Sequence, residues 1–261
     1  MIREPALLRV SHLRTSFHTQ NHMVTAVDDV SIEVKPRQIV ALVGESGSGK
    51  SVTAMSILGL VDPPGIVENG EIWLGANNLL GYSRRQLRKL RGKEMAVIFQ
   101  DPMNALNPVL TIGRQIMETI MLHKRVSKKE AKVLALRQMQ QAGLSDPEQL
   151  LNTYPFQISG GMCQRVMICI ALVSGARLLI ADEPTTALDV TIQAQILKEL
   201  DRIRKERNVG ILLITHDLGV VAEIADYVYV MKSGKIVESS NVFKLFSEPE
   251  HPYTKHLLDC R

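Results

Sequence analysis

The segment at residues 44–51 contains the residue types and spacing of a phosphate-binding loop. It reads GESGSGKS and matches the pattern G-x-x-x-x-G-K-[ST] at every fixed position. Its glycines let backbone N–H groups curl around phosphate oxygens, at the start of a helix that favours anions. We expect Lys50 to reach the β- and γ-phosphates and the Ser51 hydroxyl to ligate Mg²⁺. The predicted nucleotide contacts are Gly44, Glu45, Ser46, Gly47, Ser48, Gly49, Lys50, Ser51 and Val52.

Polar side chains follow three further apolar runs, LLIA, ILLIT and MAVIF. Ligands of open parallel sheets bind outside the carboxyl ends of the strands, so these side chains are candidates for one site. Asp182 is expected to hold Mg²⁺, directly or through water, and Glu183 to act as a general base on water. His216 is expected to sense or stabilise the γ-phosphate, and Gln100 to touch both metal and water. The sequence therefore predicts a phosphate site with hydrolytic groups.

A second candidate anion site begins at Ser159, Gly160 and Gly161, directly before the helix-like stretch MCQRVMICIALV. A serine and bare backbone amides at a helix start can bind phosphate. A plain serine N-cap with a glycine turn explains the same local sequence equally well. A self-contained P-loop kinase or GTPase has no use for two such sites in one chain.

The elements that must position these residues are of two kinds. Short apolar runs without alternation predict strands buried on both faces of a parallel sheet, at Ile39–Val43, Met95–Phe99, Leu178–Ala181 and Ile211–Ile214. Helical patterns cover Ile112–His123, Lys128–Ala142 and Met162–Val173. The alternation predicts an α/β chain. We expect one domain over residues 1–261, with an inserted helical subdomain at about 101–175.

Composition excludes several classes of protein. The chain has 261 residues, 45% of them hydrophobic and 22% charged, which is ordinary globular composition. A net charge of +4 is too weak to indicate nucleic acid as the partner. The longest apolar run has eight residues, against roughly 18–20 needed to span a bilayer. Three cysteines (Cys163, Cys169 and Cys260) do not indicate a disulfide framework.

Two charged features favour ordinary structural explanations. His12, His18 and His22 lack the spacing of a helical ligand pair, so we expect solvated side chains rather than a metal site. A basic stretch could bind phosphate or an acidic surface, but its spacing favours one solvated helix face. It contains Arg84, Arg85, Arg88, Lys89, Arg91 and Lys93.

The segment ISGGMCQ at residues 158–164 resembles the signature motif of ATP-binding-cassette (ABC) ATPases. Five further features resemble motifs of that family and stand in the family's order. They are the loop at 44–51 (Walker A), Gln100 (Q-loop), LLIADE (Walker B), Asp189 in ALD (D-loop) and His216 (switch histidine). The resemblance implies a P-loop NTPase fold with a RecA-like core, a mostly parallel sheet and an antiparallel region near the N-terminus. It implies ATP and Mg²⁺ as cofactors. It also implies two domains meeting head to tail, so that Ser159, Gly160 and Gly161 serve the partner's ATP.

The family usually stacks an aromatic side chain on adenine near its first strand. Phe17 is the candidate, and an ordinary core phenylalanine is the alternative.

Three further segments resemble a narrower group, the importers of peptides, opines and nickel. They are FQDPMNALNP at 99–108, YPFQ at 154–157 and HPYT at 251–254. Met162 stands where the second ATPase of such importers usually has Gln, so the chain resembles the first, or D-type, subunit. The implied partners are a paralogous F-type ATPase, two membrane permease subunits and an extracellular solute-binding protein. The implied location is the cytoplasmic face of the cell membrane.

The cargo stays open between peptides and nickel or metal chelates. The alternative function is a soluble ABC ATPase without a transporter.

Overall fold

A computed structural model describes residues 5–19, 22–186 and 188–259. Cys260 lies outside the described residues. The chain divides into two compact units. Unit 1 comprises the described residues of Met1–Lys89 and Ile203–Arg261, and unit 2 is Leu90–Arg202.

The described residues form ten strands and eleven α-helices. The strands are β1 (Leu8–His18), β2 (Met23–Val34), β3 (Ile39–Val43), β4 (Gly65–Leu74), β5 (Asn77–Asn78), β6 (Met95–Ile98), β7 (Leu178–Asp182), β8 (Gly210–Thr215), β9 (Tyr227–Lys232) and β10 (Lys235–Asn241). The helices are α1 (Lys50–Leu58), α2 (Arg84–Leu90), α3 (Pro102–Ala105), α4 (Ile112–His123), α5 (Lys128–Gln141), α6 (Pro147–Leu150), α7 (Gly160–Val173), α8 (Val190–Arg207), α9 (Leu218–Ile224), α10 (Val242–Ser247) and α11 (Pro252–Asp259).

Unit 1 contains two kinds of sheet. In the first, strand order is β10-β9-β3-β8, and β3 pairs in parallel with both β8 and β9. Every residue of β3 and β8 is buried, as expected for apolar runs covered on both faces. The second sheet has the order β2-β1-β4-β5 and is antiparallel. The predicted α/β class, with an antiparallel region near the N-terminus, is confirmed.

Unit 2 combines the parallel pair β6 and β7 with a helical core. Apolar faces of α4, α5 and α7 pack together around fully buried residues that include Ile116, Ala135 and Val166. The predicted helices are confirmed with small shifts at their ends. Helix α5 ends at Gln141 because Ala142 is its C-cap, and α7 begins two residues before the predicted start because Ser159 caps it.

Two of the histidines near the N-terminus lie next to carboxylates. His12 Nδ1 is 2.7 Å from the Asp29 carboxylate, and His18 Nε2 is 2.8 Å from that of Glu68. The hydrogen bond from His18 is the main cause that lowers the pKa of Glu68.

The expectation of one basic helix face is wrong for Arg91 and Lys93, because α2 ends at Leu90. Burial lowers the pKa of Arg91.

Within the described residues, no helix combines the length and apolar composition needed to cross a membrane.

Candidate nucleotide-binding site

The glycine-rich loop of unit 1 connects the buried strand β3 to helix α1. A Cβ on Gly44 would lie 2.1 Å from the Met231 carbonyl oxygen, and one on Gly49 would lie 2.3 Å from the Ala26 carbonyl oxygen. Gly49 is also the N-cap of α1, at φ +107°. Both positions therefore need glycine, because neighbouring strands approach the loop too closely for any side chain.

Lys50 places its ammonium group inside the loop. Its Nζ donates hydrogen bonds to the carbonyl oxygens of Gly44 at 2.7 Å and Glu45 at 2.8 Å. The residue is only 6% exposed. Next to it, Ser48 is buried, Val52 is half-buried, and Glu45, Ser46, Gly47 and Ser51 are exposed. A fixed cation beside a helix N-terminus, in a loop with several exposed residues, is suited to bind phosphate.

His216 leaves the sheet beside this loop. Val43 and Thr215, the last residues of β3 and β8, are paired in the parallel ladder. Gly44 and His216 therefore both follow directly from the carboxyl ends of neighbouring strands. The His216 side chain is exposed. The next residue, Asp217, caps α9 by accepting a hydrogen bond from the Gly219 N–H at 2.7 Å.

Unit 2 brings Gln100 and Glu183 together. Ile98 of β6 pairs with Ala181 of β7, so the residues that follow both strands emerge side by side. Gln100 Nε2 donates a hydrogen bond to Glu183 Oε2 at 2.9 Å. Glu183 is half-buried and has the left-handed backbone conformation, with φ +47°. Such backbone strain in a residue other than glycine is common at functional sites.

Thr186 is a site residue that sequence analysis missed. Its Oγ1 donates a hydrogen bond at 2.9 Å to the same Oε2 of Glu183 that Gln100 contacts. Its N–H also donates to the Glu183 carbonyl oxygen at 3.2 Å, which closes a turn. The sequence signal for Thr186 was its position, because it places a hydroxyl three residues after Glu183, the acidic residue that follows β7. Two donors on one oxygen fix the direction of the Glu183 carboxylate.

The predicted Mg²⁺ donors are all oxygen atoms. Asp182 is the last residue of β7 and is 5% exposed, whereas Ser51 and Gln100 are exposed. Each of these oxygen types, taken separately, is a ligand that Mg²⁺ accepts together with substrate phosphates. Among the residues that the structure describes, no group of three or more His, Cys, Asp or Glu side chains could hold a metal ion.

The predicted signature residues lie at the start of α7 in unit 2. Ser159 is exposed, and its Oγ accepts a hydrogen bond from the Met162 N–H at 3.3 Å. Gly160 is exposed with open space at its Cβ position, whereas a Cβ on Gly161 would lie 2.8 Å from Ile192 Cγ2. The serine therefore caps the helix, and the first helical residue, Gly160, is exposed.

Asp189 belongs to unit 2 and directly precedes helix α8. Its Oδ1 accepts a hydrogen bond from the Ile192 N–H at 2.9 Å, and its side chain is exposed. Because Ile192 packs against Gly161, this bond also fixes a neighbour of the signature helix.

Phe17 lies on β1, opposite Val24 of β2 and Gly65 of β4. It is half-buried, and its Cε1 would be 2.7 Å from a Cβ on Gly65. Ala26, two residues after Val24, is the residue whose carbonyl lies against Gly49. Phe17 is thus one strand away from the phosphate-binding loop, and its adenine-stacking role stays a prediction.

The loop after β3 and the acidic end of β7 define the chain as a P-loop ATPase cassette. Residues 27–186 match the family described as ABC transporter. The chain belongs to the ABC transporter family.

Two curated relatives illustrate the similarity. The oligopeptide transport ATP-binding protein AppD of Bacillus subtilis is 51% identical over 253 residues, which cover 97% of this chain and 77% of AppD. The oligopeptide transport ATP-binding protein OppD of the same organism is 47% identical over 259 residues, 99% of this chain and 72% of OppD.

The fold is similar to that of a solved cassette, the dimeric post-hydrolysis state of the ATP-binding cassette MJ0796 bound to ADP and Pi. The TM-score is 0.81 at 25% identity, over 90% of this chain and 98% of that chain.

Proposed function

We propose that this chain is the ATP-hydrolysing subunit of an importer for oligopeptides, and that its hydrolysis drives transport through membrane partner subunits. The observation that carries the ATPase assignment is the Glu183 carboxylate, directed by Gln100 and Thr186, one residue after the buried Asp182. The peptide assignment is supported by the relatives AppD and OppD, which are named oligopeptide transport ATP-binding proteins. Nickel and metal chelates are the alternative cargo.

Catalysis in this proposal is mainly positioning and electrostatic stabilisation. Lys50 neutralises charge on the β- and γ-phosphates, and the loop amides hold the phosphate oxygens. Mg²⁺ held by Ser51, Gln100 and Asp182 supplies further positive charge when bound. Glu183 polarises the attacking water, with its carboxylate already oriented before the substrate arrives. His216, which follows the strand next to the loop, stabilises the γ-phosphate.

Hydrolysis in this proposal requires two cassettes. The capped helix start at Ser159, Gly160 and Gly161 contacts the ATP that the phosphate-binding loop of the partner cassette holds. Asp189 lies at the contact between the two cassettes. The solved cassette MJ0796 is a dimer in its ADP- and Pi-bound state. We propose a paralogous F-type ATPase as the partner here. Two membrane permease subunits and an extracellular solute-binding protein complete the importer, with this chain on the cytoplasmic face.

The test is purification of the tagged chain from native membranes in mild detergent, followed by identification of co-purifying proteins. We expect two multi-span proteins and a second cassette ATPase. Recovery of the chain with soluble partners only would contradict the importer and favour a cassette ATPase without a transporter. The recovered binding protein is then titrated with oligopeptides, nickel and metal chelates, and binding of metal alone would overturn the peptide assignment.

The catalytic role of Glu183 is tested in the same complex with Glu183→Gln. This variant keeps the size of the side chain but removes the base, so we expect normal ATP binding and turnover reduced at least about 100-fold. Full hydrolysis by the variant would show that another group activates the water.

A further inference from the structure

The segment HPYT at residues 251–254 contacts the phosphate-binding loop directly. Tyr253, in the first turn of α11, is 5% exposed. Its hydroxyl oxygen accepts a hydrogen bond from the Glu45 N–H at 3.0 Å. The two residues are 208 positions apart in the chain and lie in the same unit. The loop is therefore held from outside by a side chain near the end of the described chain.

The contact reaches Lys50 through a single peptide group. The N–H of Glu45 and the C=O of Gly44 belong to the same planar unit, and Gly44 O accepts the 2.7 Å hydrogen bond from Lys50 Nζ. A trans peptide points its N–H and C=O in opposite directions, so the direction of one fixes the other. Tyr253 on one side and Lys50 on the other thus hold this peptide group at both ends.

Tyr253 is itself fixed by several contacts. Lys232 Nζ lies 4.6 Å from the centroid of its ring, in a cation–π contact. Its backbone N–H donates to His251 Nδ1 at 3.1 Å, and the Glu238 carboxylate accepts the His251 N–H at 2.9 Å. Burial raises the pKa of Tyr253, so the hydroxyl is neutral at physiological pH. The tyrosine is a rigid support rather than a mobile surface group.

We propose that Tyr253 is a positioning residue for ATP binding: its hydroxyl fixes the Gly44–Glu45 peptide group and, through it, the carbonyl that holds the Lys50 ammonium. This inference rests on the proposed role of the loop in binding ATP. Without the hydroxyl, the Glu45 N–H loses its partner and the peptide group can rotate. The loop then has to be ordered when ATP binds, which weakens binding.

Tyr253→Phe removes only the hydroxyl and keeps the ring under Lys232. Tyr229→Phe is the matched control, because the Tyr229 hydroxyl likewise accepts a backbone N–H, that of Glu33 at 3.2 Å. One neutral hydrogen bond contributes about 1 kcal/mol, which is roughly a fivefold change in an equilibrium constant. We expect Tyr253→Phe to raise the Kd for fluorescent MANT-ATP with Mg²⁺, and the KM for ATP of the assembled complex, about fivefold. We expect kcat within about twofold, and Kd and KM of Tyr229→Phe equal to those of the wild type.

A second measurement does not depend on turnover. Hydrogen exchange of the Glu45 amide, followed by NMR, is expected to be slow in the wild type and in Tyr229→Phe, and faster in Tyr253→Phe. Equal MANT-ATP affinity and equal Glu45 exchange in both tyrosine variants would overturn the positioning role.

Lys50→Ala separates failure of this inference from failure of the proposed function. Suppose that the wild type binds MANT-ATP, that Lys50→Ala abolishes this binding and that Tyr253→Phe leaves it unchanged. In that case only the proposed role of Tyr253 is wrong. If the wild type binds no MANT-ATP, the proposed function and this inference both fail.

Discussion

Gly44→Ala tests whether close strand packing shapes the phosphate-binding loop. The added Cβ would lie 2.1 Å from the Met231 carbonyl oxygen and 2.9 Å from Ser48 Oγ. A carbon and a carbonyl oxygen approach to about 3.3 Å at closest, so one backbone must move by about 1 Å. Val43 and Val230 are paired in the parallel ladder of β3 and β9, directly before the two clashing residues. The movement therefore disturbs that ladder as well as the loop.

The expected losses follow from this displacement. Overpacking typically costs 1–3 kcal/mol, and with two backbone segments involved we expect the free energy of unfolding to fall by about 3 kcal/mol. The Gly44 carbonyl that holds Lys50 moves with the loop. A misplacement of about 1 Å in a catalytic geometry can lower kcat/KM about 100-fold, and we expect a loss of that size for ATP.

Gly75→Ala is the control, because Gly75 has φ +58° and no heavy atom within 4 Å of its Cβ position. This variant carries only the left-handed backbone strain, about 1–2 kcal/mol, and is expected to hydrolyse ATP normally. Urea denaturation of the chain, followed by circular dichroism, gives the stabilities, and phosphate release by the assembled complex gives kcat/KM. A Gly44→Ala protein as stable and as active as Gly75→Ala would show that the close strand packing does not shape the loop.

The remaining predictions concern the other site residues and the helical core. Ser159→Arg is expected to leave MANT-ATP binding by this chain unchanged and to block hydrolysis by the assembled pair; loss of the chain's own ATP binding would contradict the shared site. Thr186→Val removes one donor to Glu183, so kcat should fall about tenfold with KM for ATP unchanged, and an unchanged kcat would show that Gln100 suffices. Ile116→Ala leaves a cavity among fully buried side chains and should lower the free energy of unfolding by about 2–5 kcal/mol in urea titrations; a loss below 1 kcal/mol would mean that the core closes around it.

Local patterns in the sequence were enough to predict the class of fold. Apolar runs without alternation predicted β3, β6, β7 and β8, because a strand covered on both faces has no polar positions. The helical periodicity predicted α4 with its observed ends. The phosphate-binding loop was likewise predictable from sequence, because its fixed glycines and lysine all lie within the eight consecutive residues 44–51.

The sequence by itself determined the α/β class and the residue types available for phosphate chemistry, because both depend on neighbours within a few positions. Only the tertiary structure decided what holds those residues. The hydroxyls of Thr186 and Tyr253, which orient Glu183 and the Gly44–Glu45 peptide group, carried no periodic signal. The segment HPYT resembles that of the peptide, opine and nickel importers. Nothing in the sequence predicted that this segment contacts a loop about 200 residues earlier. A single side-chain hydrogen bond to distant backbone depends on how strands and helices pack, which no local pattern encodes.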